Sequence, residues 1–277
     1  MSDEGKWWGS VSAPYSGCPN LSLPPSERSA GCRSCWTPSF FKRFPAIHNG
    51  PPSVLELHPD RLRKCLTTRK PQRFGWILGE PAEVARKHPE YLAACVGVAL
   101  ARPDHGFGVP TSDPAAVVAW ARAVFPAVPR PGAICMREAE PVLNKDMPRI
   151  YEPWPPPNWI WLLSISTQQE ADERLPYGVE LGRMGWRWGV HAEPMLEPLA
   201  IIPDAYGASL ADMPAWIASG PPKGHRPTEA ELDWHRALMQ QCWYAGAPYW
   251  FKGETLPGEA LHNRELPAGW PGAKEQK

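Results

Sequence analysis

The chain has 277 residues, 43% of them hydrophobic, with 36 prolines, 15 tryptophans and 29 side chains each of acidic and basic type. That composition excludes a disordered chain, and the zero net charge supplies no global field favouring nucleic acid or a membrane surface. No run approaches the ~18 apolar residues of a spanning helix, and residues 1–15 lack the apolar core of a secretory leader, so a cytoplasmic protein without membrane attachment is expected.

Residues 1–15 read as a flexible N-terminus. Cys18, Cys32 and Cys35 follow, separated by a Pro/Ser-rich insert and closed by Trp36. Three close thiolates can hold three irons of a four-iron cluster and leave the fourth open to a small molecule. The Cys-x-x-Cys pair also fits half a zinc site, with His48 or His58 as a further ligand, a redox pair, or plain reduced thiols. Cys65, Cys95, Cys135 and Cys242 lie alone and read as small buried apolar residues.

Strands are predicted at Val54–His58, Arg73–Leu78, Gly106–Pro110, Trp159–Ser166, Trp186–His191, Ala215–Ser219 and Pro248–Lys252. Helical spacing falls on Pro81–Ala101, Asp113–Phe125, Gln168–Glu180 and Thr228–Ala245. The last carries a capping-box pattern, Thr228 with Glu231, and a C-terminal Gly246. Residues 126–157 read as an irregular Pro-rich insert. The basic run Arg61, Arg63, Lys64, Arg69, Lys70 and Arg73 reads as a solvated helix face and turn, or as a phosphate-contacting patch.

Strands alternating with helices predict an α/β fold, a partial or full β/α barrel of parallel strands, as one domain over 16–254 with a tail at 255–277. Ligands of such a barrel bind at the C-terminal strand ends. Those ends carry Gly79 and Glu80, Thr111 to Asp113, Ser164 to Gln168, His191 and Glu193, Ser219 and Gly220, and Lys252, with Lys223, His225 and Arg226 just beyond. Polar residues end most strands, so each alone also reads as an ordinary loop start.

Taken in order, these residues resemble a known family. Gly17-Cys18 and Gly31-Cys32-Arg33-Ser34-Cys35-Trp36 are followed by Leu57-His58-Pro59-Asp60-Arg61-Leu62 and Lys70-Pro71. Ser164 to Gln168, Ala171-Asp172-Glu173-Arg174-Leu175-Pro176, Glu193-Pro194-Met195-Leu196, Arg226-Pro227 and Ala245 to Lys252 complete the series. The set is similar to a phage-associated three-cysteine family of unknown function, itself similar to radical S-adenosylmethionine (SAM) enzymes and spore photoproduct lyase. The Pro19–Gly31 spacer is longer than in that family.

The resemblance implies a radical SAM-like iron–sulfur protein of phage or mobile-element origin. Cys18, Cys32 and Cys35 would hold a [4Fe-4S] cluster whose open iron takes S-adenosyl-L-methionine. Gly79 and Glu80 would meet the SAM amino end through their backbone. Ser164 and Glu193 would meet the ribose or the substrate, and His225, Arg226 and Lys252 an anionic substrate group. A flavodoxin or ferredoxin would donate the electron, and nucleic acid is a candidate substrate. No catalytic side chain is assigned. The alternative is a non-enzymatic zinc-binding accessory protein that binds a partner protein or nucleic acid.

Overall fold

The computed structural model describes residues 7–10, 12–35, 37–124, 130–150, 152–202, 212–253 and 265–273. The N-terminal part holds strand β1 (Tyr15–Ser16), helices α1 (Ala30–Arg33) and α2 (Thr37–Arg43), strand β2 (Glu56–Leu57) and helix α3 (Pro59–Thr67). Strand β3 (Arg73–Gly75), helices α4 (Pro81–Lys87) and α5 (Pro89–Ala101), strand β4 (Gly106–Thr111), and helices α6 (Pro114–Val124) and α7 (Pro131–Leu143) come next. The chain continues through strand β5 (Trp159–Ser164), helix α8 (Gln168–Arg183), strands β6 (Arg187–Ala192) and β7 (Trp216–Ser219), helix α9 (Glu229–Tyr244) and strand β8 (Tyr249–Phe251).

Strands β3 to β8 form one parallel sheet in sequence order, curled into a half-barrel and alternating with helices. The partial form of the expected barrel is therefore the one observed; among the described residues the sheet ends at β3 and β8. Both faces are buried, as parallel sheets require. Along β5, Trp159, Trp161 and Leu163 point to the helices, while Ile160 and Leu162 point to the concave side.

The lower concave face is filled by tryptophan. Trp7, Trp216, Trp250 and Trp270 pack there with Ile160, Leu162 and Ala218. The sheet leaves them room by using glycine: a Cβ on Gly108 would stand 2.6 Å from the Trp7 ring. Trp7 comes from the segment expected to be a flexible arm and Trp270 from the expected tail, and both are buried.

Three local expectations are corrected. Val54–His58 does not enter the main sheet; only Glu56–Leu57 is strand, and it pairs antiparallel with Tyr15–Ser16. Pro59 starts a helix at once, which leaves no length for a sheet strand. Pro81–Ala101 is two helices, broken at His88, because the residue before Pro89 is pushed out of the helical region. The supposedly irregular insert contains α7, packed along α5. Pro131 sits at its first position, where no amide hydrogen is needed, so a residue that looks like a breaker is a starter. Trp36, Phe125 and residues 126–129 lie outside the described residues. No helix among the described residues is long and apolar enough to cross a membrane.

Candidate functional site

Above the tryptophan layer the concave face opens into a cleft of about 140 Å³ at the C-terminal strand ends. The alternation that places Leu162 inward places Ser164 inward one pair further on; on the neighbouring strands Pro110 is in register with Leu162 and His191 with Ser164. Ser164, Pro110 and His191 line the cleft, together with Gly79, Glu80, Glu193, Cys18, Cys32 and Cys35.

The cysteines reach it by two routes. Gly17 adds a parallel bridge to Gly79 at the sheet edge: its N–H donates to Leu78 O at 3.0 Å, and Glu80 N–H donates to Gly17 O at 3.3 Å. Gly17 has φ of +91°, a left-handed conformation that favours glycine, and a Cβ there would collide with the Val54 backbone. Cys18 is thereby fixed beside the end of β3. The long spacer turns out and back through short 3-10 turns at Pro19–Ser22 and Pro25–Glu27, closed where Arg28 donates to the carbonyls of Leu21 and Leu23, both at 2.9 Å.

Cys32 then sits on α1, whose N-terminus is capped by Ser29. That turn lies on the end of β5: a Cβ on Gly31 would stand 2.5 Å from Ser166 Oγ. Asn20 Nδ2 donates to Cys32 Sγ at 3.6 Å and to Ser112 Oγ at 3.3 Å, tying spacer, thiol and β4 end together. All three cysteines are free and half-buried. Burial pushes the Cys18 thiol up, with the Glu80 carboxylate adding to the effect, and burial likewise raises Cys35. Among the described residues no three His, Cys, Asp or Glu side chains converge on a single ion position. A four-iron cluster has a different requirement, since each thiolate binds its own iron.

Glu80 is spent on the protein. Its carboxylate accepts from Thr111 Oγ1 at 2.6 Å, Ser112 Oγ at 2.6 Å, Ser112 N at 2.9 Å and Ala82 N at 3.2 Å. It joins the ends of β3 and β4 and caps α4, so any ligand at Gly79-Glu80 would meet backbone. Glu170 and Arg174, which sequence reasoning did not single out as site residues, also line the cleft. Glu170 accepts from Ser166 N at 2.7 Å, and Arg174 donates to Ser164 O. Arg174 stands in the Ala171 to Pro176 segment, and the turn of α8 under β5 brings it inward.

At the other end of the cleft stands Glu193, whose ion-pair partner Lys252 lies 4.9 Å over the Trp8 ring. Burial would raise the Glu193 carboxyl, but the Lys252 ammonium and His191 outweigh it and hold the group at about 2. His225 and Arg226 lie outside this cleft: both are exposed, and His225 Nε2 bonds the Glu231 carboxylate at 2.9 Å in the capping box of α9. Ser219 points away, its Oγ 2.8 Å from His235 Nδ1 and 2.6 Å from Tyr249 OH under α9.

Other candidates are occupied structurally. His48 Nδ1 lies 2.8 Å from Ser16 Oγ and its Nε2 2.9 Å from Pro51 O, so both ring nitrogens are engaged; His58 Nε2 lies 2.6 Å from the same Ser16 oxygen. In the basic run, Arg61 donates to Ile47 O and Arg63 to Leu143 O. The four lone cysteines are buried, as expected.

A family model described as a protein of unknown function (DUF5131) matches residues 4–264. The chain belongs to that family. No curated protein and no solved structure matches it.

Proposed function

We propose that the chain is a radical SAM-type iron–sulfur protein, with Cys18, Cys32 and Cys35 as the ligands of a [4Fe-4S] cluster. The observation that supports this most is the meeting of three free thiols with the Gly79-Glu80 strand end in one cleft of a parallel half-barrel. The donor set fits the group: three sulfurs, carried by two separate backbone routes, with an amide N–H already on one of them. Hydrogen bonds to sulfur are a standard means of tuning such clusters. When bound, the cluster would supply the one-electron chemistry that cleaves S-adenosyl-L-methionine and starts hydrogen abstraction from a substrate.

The protein's own part is placement. Gly79 and Glu80 would present backbone polar groups to the SAM amino end, and Glu80 would hold that backbone through Thr111 and Ser112. Ser164 would meet the ribose or the substrate. The cleft is lined by Glu80, Glu170 and Glu193 with Arg174, and Lys252 is paired with Glu193, a balance that suits a sulfonium better than an anion. A flavodoxin- or ferredoxin-type donor, a phage or mobile-element setting and a nucleic-acid substrate belong to the same proposal and rest on the resemblance alone.

Anaerobic purification followed by metal analysis tests it. The expected result is about four irons per chain with matching sulfide, lost in Cys32→Ala and in Cys35→Ala. About one zinc per chain instead would favour the accessory-protein alternative.

A further inference from the structure

We propose that the outer face of the cysteine loop is a docking surface for an acidic protein. That this protein is the one-electron donor rests on the preceding reading; the docking itself does not. From Arg28 to Leu55 the chain carries Arg28, Arg33, Lys42 and Arg43 and no carboxylate, although its overall charge is zero. Arg33, Lys42 and Arg43 are exposed, and none of them pairs with a carboxylate among the described residues. Arginines elsewhere are answered: Arg86 by Asp113, Arg122 by Glu180 and Arg236 by Glu229.

The fold turns these cations outward. In α2, Thr37 and Phe41 stand one turn apart and are buried, with Phe41 stacked on His48 at 4.7 Å between ring centres. Ser39, Lys42 and Arg43 take the opposite, exposed side of the same helix. Arg33 follows Cys32 on α1, and its Nη1 donates to Arg28 O at 2.7 Å. Arg28 donates in turn to Leu23 O, which ties the long spacer into this surface. Leu23, Phe44 and Val54 are exposed to 37, 39 and 50%. Arg43 lies 5.3 Å over the Phe44 ring, and the Val54 carbonyl sits against Gly17, the residue before Cys18.

Arginine and aromatic side chains are the make-up of a protein contact, and the three apolar groups among the cations favour a protein over a polyphosphate track. Charge complementarity then selects an acidic partner. The bordering carboxylates are Glu27 and Glu56, and the Asn49 N–H already donates to Glu56 at 3.0 Å. Arg33 and Ser34, the two residues between Cys32 and Cys35, are exposed, so a protein seated on this face stands beside both thiols.

The test is titration calorimetry on the full, anaerobically purified chain. The probes are oxidised flavodoxin as an acidic carrier, cytochrome c as a basic one and a mixed-sequence DNA duplex as a polyphosphate. Flavodoxin should bind saturably, and at least tenfold more weakly at about 0.3 M salt than at about 0.05 M. Arg33→Glu combined with Lys42→Glu should weaken binding at least tenfold. Arg137→Glu combined with Lys145→Glu, an equal charge change in and just after α7, should leave it unchanged. Circular dichroism checks that each variant is folded. No saturable flavodoxin binding, undiminished affinity in the folded Arg33→Glu and Lys42→Glu double variant, or tighter binding of cytochrome c or DNA would overturn the proposal. Iron content of the same samples separates this face from the cluster: the double variant should retain iron at the wild-type level. Salt-sensitive flavodoxin binding to an iron-free chain, lost in the double variant, would leave the docking face standing and the cluster reading fallen.

Discussion

The floor and the mouth of the concave face lie one residue pair apart along the same strands, yet their chemistry differs sharply. On β5, Ile160 and Leu162 pack under Trp7, Trp216 and Trp270, whereas Ser164 opens into the cleft. On β6, Gly189 is followed two residues later by His191 and then by Glu193. Both rows point inward, so strand periodicity does not distinguish them. The difference comes from segments remote in sequence: residues near both ends of the chain plug the floor, and the cysteine-bearing loop covers the mouth. The floor buys stability, and the mouth keeps polar groups that a stable core would not choose.

The strongest way to break this contrast is to empty the floor. Trp7→Ala removes a fully buried ring and should cost about 3–5 kcal/mol in urea unfolding. The iron content of the protein that remains folded should be unchanged. Next in size is the mouth's ion pair. Lys252→Met leaves Glu193 buried without its counter-ion and should destabilise by about 3 kcal/mol, whereas Lys252→Met combined with Glu193→Gln should recover most of that loss.

Acid sharpens the comparison further. Glu193 is held at about 2, below its ordinary value of 4.5, so its contribution is full above that value and is lost as pH falls from 4.5 towards 2. Outside the cleft, burial lowers His58 and His235 from 6.5 to about 4. Both are favoured neutral, so their contribution is lost over the higher window, from pH 6.5 down to about 4. Unfolding midpoints measured against pH should lose the lower phase in Glu193→Gln and much of the upper phase in His235→Gln. The smallest of these effects is Glu80→Gln, which should cost about 1–3 kcal/mol through imperfect pairing with Thr111, Ser112 and Ala82. A cost within error would mean that the β3–β4 tie is not what holds the Gly79 backbone.

Much of the architecture was legible because parallel strands read as short apolar runs between helices: β3 to β8 all fall within or at the edges of predicted runs. The capping box of α9 was equally plain, since it is written in Thr228 and Glu231 alone. The insert helix was missed because two prolines masked it, and β2 was overread because Val54 to His58 has strand composition but no neighbour in the main sheet. At the site, Gly79, Glu80, Ser164, Glu193 and the cysteines share a cleft; a strand-end rule lists the first four and the cysteine spacing the rest. His225 and Arg226 satisfied the same rule and went instead to a helix start. Glu170 and Arg174 carried no strand-end signal; α8 and the curvature of the sheet bring them in.

The central claim is that the three cysteines at the mouth hold one iron–sulfur cluster. Iron and sulfide analysis of the anaerobically purified chain, beside Cys18→Ala, addresses it most directly, because the long spacer makes Cys18 the ligand hardest to assign from sequence. The account predicts about four irons per wild-type chain and their loss or depletion in Cys18→Ala. A wild-type chain that retains no iron after anaerobic reconstitution, or a Cys18→Ala chain that retains all of it, would contradict it.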